Sequence, residues 1–342
     1  MELIWFCLIT VMIGGYVVLD GYDLGTGMIH LFVARTDNER RQVLASIGPV
    51  WDGNEVWLLA GGGTLYFAFP ALYSAAFSGF YLALMMVLWL LMLRGIAIEL
   101  RNHIDTEVWK PFWDTVFCGS SALLALVFGV ALGNVVRGVP LDDSGFFFVP
   151  LWVNLQVGAE TGIIDWYTLL VGLAAFAALG MHGSLWVALK TAGPVSERSR
   201  HFAQRIWWVT LFLSFVITYF SFRVQPHLGA QFGANSWGFV FPALALMGLA
   251  AVKILGTRGS DLYAFLGSAV YILGMLLSAA FGVFPYVLPS NGKPDYGLTI
   301  YNAAAAHHGL VIGLRWWIPG MLLATAYSVF IYRRLAGRIP AE

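Results

Sequence analysis

Long apolar segments separated by short polar ones dominate this chain and predict a membrane protein built of helices. A membrane-spanning helix needs about 20 mostly apolar residues, and nine segments satisfy that requirement. They lie at 4–31, 54–70, 74–93, 114–135, 163–189, 206–222, 237–255, 262–284 and 311–332. No polar stretch between them is long enough for a separate soluble domain. The whole chain, 1–342, is therefore predicted to form a single all-α transmembrane domain.

The second and third predicted spans share one uncharged run. From Trp57 to Leu93 there are 37 residues without Asp, Glu, Lys or Arg. As one helix rising about 1.5 Å per residue, this run would be much longer than the hydrocarbon core of about 30 Å. Pro70 is therefore predicted to mark the turn between two spans.

The distribution of Lys and Arg predicts the orientation of the chain. With nine spans, the loops on one side and the C-terminal end carry 15 of the 19 Lys and Arg residues, and the other side carries 4. Positive residues favour the cytoplasmic side. We expect the N-terminus outside and the C-terminus in the cytoplasm.

Composition agrees with the membrane class and excludes several functions. The chain is 59% hydrophobic and 11% charged, whereas soluble domains are about 25% charged. The net charge of +0 gives no indication of a nucleic-acid partner. Cys7 and Cys118 form no CxxC motif, so neither a disulfide framework nor a zinc site is indicated. The first apolar segment has no basic region before it and is interpreted as a retained helix rather than a signal peptide.

Two pairs of acids are placed where charge is unfavourable. Asp20 and Asp23 are three residues apart and share one face of the first span, and Asp52 and Glu55 have the same spacing at the start of the second. The predicted topology puts both pairs towards the cytoplasmic side. Closely spaced carboxylates share protons near neutral pH, and acids within spans often relay protons. A proton pathway through Asp20, Asp23 and Asp52 is the functional interpretation.

Each pair also has a structural interpretation. Asp52 and Glu55 have the spacing of a helix-capping box, and acids suit a helix N-terminus. A cap residue that also faces a water-filled cavity would combine both roles. For Asp20 and Asp23, the alternative is a first helix that ends early and leaves both acids solvated.

Three further residues are secondary candidates: Glu55, Glu99 and His182. Glu99 lies close to Arg94 and Arg101, and an ion pair at the helix end is the favoured interpretation. His182 is the one histidine well inside a span, where hydrogen bonding across helices is more common than haem ligation. His307 and His308 are adjacent and face different directions on a helix. No catalytic, cofactor-binding or metal-binding residue is predicted on this chain.

Several stretches in the first hundred residues resemble subunit II of the cytochrome bd-type quinol oxidases. Weaker support comes from Gly133-Asn134 and Phe284-Pro285. The stretches that carry the resemblance are Asp20-Gly21-Tyr22-Asp23-Leu24-Gly25, Gly48-Pro49-Val50-Trp51-Asp52-Gly53-Asn54-Glu55-Val56-Trp57-Leu58, Ala68-Phe69-Pro70 and Arg94-Gly95-Ile96-Ala97-Ile98-Glu99.

The resemblance implies a location in a bacterial inner membrane, a fold, partners and a function. The fold is nine transmembrane helices in two four-helix bundles plus one peripheral helix. The main partner is a haem-bearing subunit I, which carries haem b and haem d; small single-helix subunits are further candidate partners. The complex uses quinol and dioxygen as substrates and makes water. Some members hold a quinone or a lipid against this subunit. Positions matching Asp20, Asp23 and Asp52 lie on the family's cytoplasmic proton route.

The sequence therefore predicts a non-haem subunit of a terminal oxidase that supports subunit I and supplies part of a proton path. Two alternatives stay open. A proton-coupled transporter would show inverted repeats with acids near the midplane, and here the acids lie near helix ends with no evident repeat. A haem-carrying cytochrome would show a Soret band when the chain is purified alone.

Overall fold

The computed structural model describes residues 1–158 and 161–340, and this part of the chain is almost entirely helical. Helices account for all of its long elements, and a two-stranded antiparallel hairpin, β1 (Tyr286–Leu288) with β2 (Leu298–Thr299), is a minor addition. The twelve α-helices in the described part are α1 (Glu2–Val33), α2 (Asp37–Ala45), α3 (Trp51–Ala68), α4 (Pro70–Gly79), α5 (Tyr81–Leu100), α6 (Trp109–Arg137), α7 (Trp166–Lys190), α8 (Pro194–Val224), α9 (Pro226–Ala234), α10 (Val240–Thr257), α11 (Asp261–Val283) and α12 (His307–Arg334).

Nine of these helices match the predicted spans in number and order. Eight are long and apolar enough to cross a membrane: α1, α5, α6, α7, α8, α10, α11 and α12. The ninth, α3, has 18 residues, so it is about 27 Å long at 1.5 Å per residue. Its first turns carry Asp52, Asn54 and Glu55, and it does not reach the hydropathy that the other eight helices share.

The uncharged run divides at two places. Pro70 follows the end of α3 and begins the short helix α4, as expected of a proline at a helix start. A second break at Phe80 separates α4 from α5. The residues expected as the third span, 74–93, are thus shared between α4 and α5, and the spanning helix is Tyr81–Leu100.

The long helices form two groups of four with one helix outside them. In the first bundle α1 packs against α3 and α6, and α5 packs against α6; in the second, α7, α8, α10 and α11 pack in a ring. The α6–α7 and α1–α7 contacts join the two bundles. Helix α12 buries only Leu310 within the described chain. This arrangement agrees with the expected two bundles and peripheral helix.

Small residues allow α1 and α7 to approach closely. A Cβ atom added at Gly25 would come within 2.0 Å of the Leu179 carbonyl oxygen and 2.7 Å of the Gly183 nitrogen. Such contacts are not tolerated, so glycine is required at this crossing. Small residues at helix interfaces are a general device of membrane proteins, since apolar side chains gain little by leaving lipid.

One end of the molecule, which we call the basic end, carries the loops with most of the Lys and Arg residues. The short helix α2 lies there and begins with the predicted capping box. The Thr36 side chain accepts a hydrogen bond from the Glu39 amide, and Glu39 accepts from the Thr36 amide. Five residues after α2, the chain enters α3 and so brings Asn54 and Glu55 next to the acids of α1.

Candidate functional site: buried acids in the first bundle

Asp20 and Asp23 lie in the interior of the first bundle. Their side chains are 0% and 1% exposed. Helix α1 continues ten residues beyond Asp23 to Val33, so the alternative in which the helix ends early and both acids are solvated is wrong. Buried carboxylates need compensating partners, and neighbouring helices supply them.

Arg94 of α5 is the partner of two acids. Its Nη1 lies 2.7 Å from Asp20 Oδ1, and its Nη2 lies 2.8 Å from Glu55 Oε2. The Arg94 side chain is itself 0% exposed. One guanidinium thus joins α1, α3 and α5 through charge-assisted hydrogen bonds, which are about twice as strong as neutral ones.

Asp23 has an amide partner instead of a cation. Asn54 Nδ2 donates to Asp23 Oδ2 at 2.8 Å and to the Tyr22 hydroxyl at 2.7 Å. The Tyr332 hydroxyl, at the end of α12, donates to Asn54 Oδ1 at 2.9 Å and is also hydrogen-bonded to Tyr22. The peripheral helix therefore reaches the buried acids at its basic end.

The capping interpretation of Asp52 and Glu55 is wrong. The N-cap of α3 is Val50, and no side chain caps this helix. Glu55 turns inward to Arg94, whereas Asp52 is exposed in the first turn. The structure joins Glu55 to the Asp20 cluster and leaves Asp52 on the surface of the chain, two residues before Asn54.

Five buried polar atoms form a row along α1. Within the described chain each lacks a hydrogen-bond partner, and their residues are spaced three or four positions apart, so that they share one face. Fourteen positions of helix correspond to about 21 Å. Buried polar atoms in proteins are nearly always satisfied, often by ordered water, so this row is suited to hold water or to pass protons. The atoms are Tyr16 Oη, Asp20 Oδ2, Asp23 Oδ1, Thr26 Oγ1 and His30 Nδ1.

The row ends in an ion-pair network at the basic end. His30 Nε2 lies 2.6 Å from Asp114 Oδ1. Asp114 also accepts from Arg101 Nε at 2.6 Å and from Arg40 Nη1 at 2.9 Å. Arg101 donates in turn to Asp37 at 2.8 Å, and the Asp37 side chain is 40% exposed. The row and this network together place polar groups at intervals from the bundle interior to the surface.

Asp37, which lies on α2 outside the spans, responds to this positive environment. Burial raises its pKa, but the hydrogen bonds from Arg101 and Lys110 outweigh burial and hold the pKa of the carboxyl below its usual value. Asp37 therefore stays ionised at the outer end of the network at neutral pH.

Glu99 does not form the expected ion pair. It is exposed on α5, whereas Arg94 contacts Asp20 and Glu55, and Arg101 contacts Asp37 and Asp114. The prediction of a helix-end ion pair at Glu99 is therefore wrong. The two arginines contact the buried acids Asp20 and Asp114 instead. A desolvated charge gains more free energy from an oppositely charged partner than an exposed charge does.

His182 is hydrogen-bonded across helices, as the sequence favoured. Its Nδ1 lies 2.7 Å from Ser268 Oγ and its Nε2 lies 3.0 Å from the Val18 carbonyl oxygen. The ring stacks on Phe265 with a centroid distance of 4.7 Å. Both nitrogens are occupied, so His182 serves packing between α1, α7 and α11.

The histidines do not fit a haem site. A bis-histidine haem needs two ring nitrogens free to face each other, but His30 is bonded to Asp114, and the Nε2 of His227 to the Phe284 carbonyl oxygen. His307 and His308 lie exposed at the start of α12. Within the described residues there is also no group of three or more His, Cys, Asp or Glu side chains that could hold a metal ion.

Several site residues were not predicted from the sequence. Arg94 was assigned to an ion pair at the helix end, and His30 and Asp114 were not singled out. One signal was available: polar residues recur every three or four positions from Tyr16 to His30 within an apolar helix, which indicates a polar interior face. No comparable signal marks Tyr332, whose role depends on how α12 packs.

Comparison with known proteins identifies the family. The sequence profile of the cytochrome bd terminal oxidase subunit II family matches residues 1–335. This chain belongs to that family. As a family member it is a subunit of a membrane-bound oxidoreductase complex, and this assignment replaces the transporter alternative.

Individual members of the subunit II family agree along their whole length. The chain is 31% identical to the probable cytochrome oxidase subunit 2 of Haemophilus influenzae, with 100% of this chain and 96% of that protein covered. It is 31% identical to the cytochrome bd-I ubiquinol oxidase subunit 2 of Escherichia coli, with the same coverage. The bd oxidase structure from Geobacillus thermodenitrificans shares its fold, with a TM-score of 0.75, 16% identity and 98% of both chains covered.

Proposed function

We propose that this chain is the non-haem subunit of a bd-type quinol:oxygen oxidoreductase and supplies part of the path by which protons reach the site of dioxygen reduction. The haem-bearing partner, with haem b and haem d, supplies electron transfer and oxygen chemistry. In this proposal the N-terminus is outside, and the basic end faces the cytoplasm, as the excess of Lys and Arg favours.

The observation that carries the proposal is the buried row of acids linked to the surface. Within the described chain, Arg94 is the one cation in contact with this cluster of three acids, and it pairs with Asp20 and Glu55. The third acid, Asp23, is held by the Asn54 amide instead. With all three acids ionised the cluster would hold excess negative charge in a low-dielectric interior, which is unfavourable. Uptake of protons relieves that excess. The cluster can therefore take protons from the basic end and release them to an acceptor.

Asp52 belongs to the proposed path as a surface acid. It lies exposed in the first turn of α3, one turn away from Glu55. A carboxylate there would collect protons from water and pass them towards the Glu55–Arg94–Asp20 cluster. Exposed carboxylates on spanning helices also need covering or solvation. Asp52 and Glu99 on α3 and α5 therefore mark the face where we expect the haem-bearing subunit.

The proposal is tested in the purified oxidase complex by neutral variants of the acids. Asp23→Asn and Asp52→Asn are each expected to slow quinol oxidation about tenfold or more, since a positioned proton carrier contributes roughly 10²–10⁴ in rate. The absorption spectra of the haems should stay normal, because no haem ligand is changed. Oxygen consumption and difference spectra measure the two effects.

Glu107→Gln is the matched control, because Glu107 is an exposed acid near the basic end. Its turnover should equal that of the parent enzyme. Parent turnover in Asp23→Asn would contradict the proposed proton path, and parent turnover in Asp52→Asn alone would remove only Asp52 from it.

A further inference from the structure

A cavity at the basic end lies directly beside the buried acids. Its volume is about 240 Å³, many times the roughly 30 Å³ that one water molecule occupies in the liquid. The turn between α2 and α3, the end of α7, the end of α12 and the segment after it form the wall. The lining residues that matter here are Ser46, Val50, Trp186, Lys190, Tyr332 and Ala336.

The segment after α12, residues 335–340, closes one side of the cavity and is well anchored. Gln42 Nε2 donates to the carbonyl oxygens of Ile339 and Pro340, both at 3.0 Å. Arg338 contacts Asp261 at 2.7 Å, and Lys190 Nζ donates to the Leu335 carbonyl oxygen. These contacts hold the cavity wall in place.

Tyr332 belongs both to the cavity wall and to the buried site. Its hydroxyl donates to Asn54 Oδ1 at 2.9 Å, and Asn54 donates to Asp23 Oδ2 at 2.8 Å. Two side chains thus separate the cavity from Asp23. The second carboxylate oxygen, Asp23 Oδ1, has no partner within the described chain although Asp23 is 1% exposed.

Aromatic rings lie beside these two side chains. Trp186 stacks on Tyr22 with a centroid distance of 4.0 Å, and its Nε1 donates to the Ser46 carbonyl oxygen at 3.1 Å. Apolar constrictions exclude water by dewetting. The hydroxyls of Tyr332 and Tyr22 supply the polar surface that water needs to pass between these rings.

We propose that this cavity is the water-filled entrance from which Asp23 takes up protons and that Tyr332 is the positioning residue that keeps the passage wettable. A hydronium ion arriving through the cavity gives its proton to the Asp23 carboxylate and leaves a water molecule, so the step needs no oxidant or reductant. This inference rests on the proposed proton path, and it adds an entrance at the end of α12 to the one at Asp52.

The test is Tyr332→Phe in the purified complex, with Tyr327→Phe on the same helix as the matched control. Tyr327 is 65% exposed and lies outside the cavity wall. Losing one hydrogen-bonding group corresponds to about three- to tenfold in rate, and we expect that decrease in turnover for Tyr332→Phe. The solvent isotope effect on turnover in D₂O should rise, while the KM for quinol, the haem spectra and the control variant stay unchanged.

A second variant fills the cavity without touching the hydrogen bonds. Ala336→Trp places an indole against the lining, and we expect slower turnover with the same rise in isotope effect. The inference is wrong if Tyr332→Phe and Ala336→Trp both work at the parent rate while Asp23→Asn is slow; the proposed proton path then stands with another entrance. Parent turnover in Asp23→Asn would instead reject the proposed function itself.

Discussion

At the scale of single residues, Arg94 maintains the charge balance of the site. It contacts Asp20 and Glu55 and is itself fully buried. Burying any one of these charged groups alone is unfavourable, because the charge loses its hydration. Their mutual contacts compensate for that loss only while all of the groups are present. The sequence shows Arg94 as a lone cation at the end of an apolar run, and its partners are 39 and 74 residues away.

Arg94→Met is expected to destabilise the protein by roughly 3–5 kcal/mol, the usual effect of leaving a buried charge unpaired. Adding Asp20→Asn to that variant should restore part of the loss, because one unpaired carboxylate is removed. Arg258→Met is the control, since Arg258 is exposed. Thermal unfolding of the purified complex in detergent measures all three, and equal melting temperatures for Arg94→Met and Arg258→Met would contradict this account.

At the scale of elements, α1 connects the two bundles and carries the polar row. One face holds Tyr16, Asp20, Asp23, Thr26 and His30, whereas Gly21 and Gly25 lie against α7. The polar face must stay aligned with its partners in the first bundle while the glycine face stays aligned with α7. The small-residue face therefore positions the acids, since a shift of α1 against α7 would also move Asp20 away from Arg94.

Gly25→Ala should destabilise the α1–α7 crossing by about 1–3 kcal/mol, the usual effect of overpacking, because the new methyl group collides with backbone atoms of α7. Gly119→Ala is the matched control within a spanning helix, as no atom lies within 4 Å of its added Cβ. That change should be neutral or stabilising by up to about 1 kcal/mol. Comparable unfolding temperatures for the two variants would show that the crossing tolerates a side chain.

At the scale of the whole molecule, the two bundles differ in their interiors. The first contains the acids and Arg94, and the second contains His182 with both ring nitrogens bonded. Helix α12 stands outside both and contacts the site only through Tyr332 near its end. Within the described part of the chain, buried acids with their cation therefore lie in the first bundle, and the buried histidine of the second is already hydrogen-bonded at both nitrogens.

We expect the chain purified alone to show no Soret band and the chain purified with its partner to show the bands of haem b and haem d. The reason is that both ring nitrogens of His182 are hydrogen-bonded and His30 Nε2 is paired with Asp114. An absorption spectrum and an extracted-haem assay check this directly. Stoichiometric haem bound to the solitary chain would revive the alternative of a haem-carrying cytochrome.

The sequence by itself was sufficient to predict a helical membrane protein, the number and order of its spans, and the two acid pairs. Spans depend on local hydropathy over about 20 residues, and the acids are conspicuous because charge is rare in such segments. The break of the uncharged run at Pro70 could also be predicted from the local sequence. The separate helix α4 before α5 could not be predicted in this way, because nothing between Tyr73 and Tyr81 marks a helix end as proline does.

Only the tertiary structure decided which of these acids share a site. Spacing leaves Glu55 open to a capping or a proton-path role and favours an ion pair for Glu99, but Arg94 turns inward to Asp20 and Glu55. The choice depends on which charges the packed bundle desolvates, and spacing along the chain cannot show that. The same holds for Tyr332, which lies 309 residues after Asp23 and reaches it through Asn54 only because α12 ends beside α1 and α3.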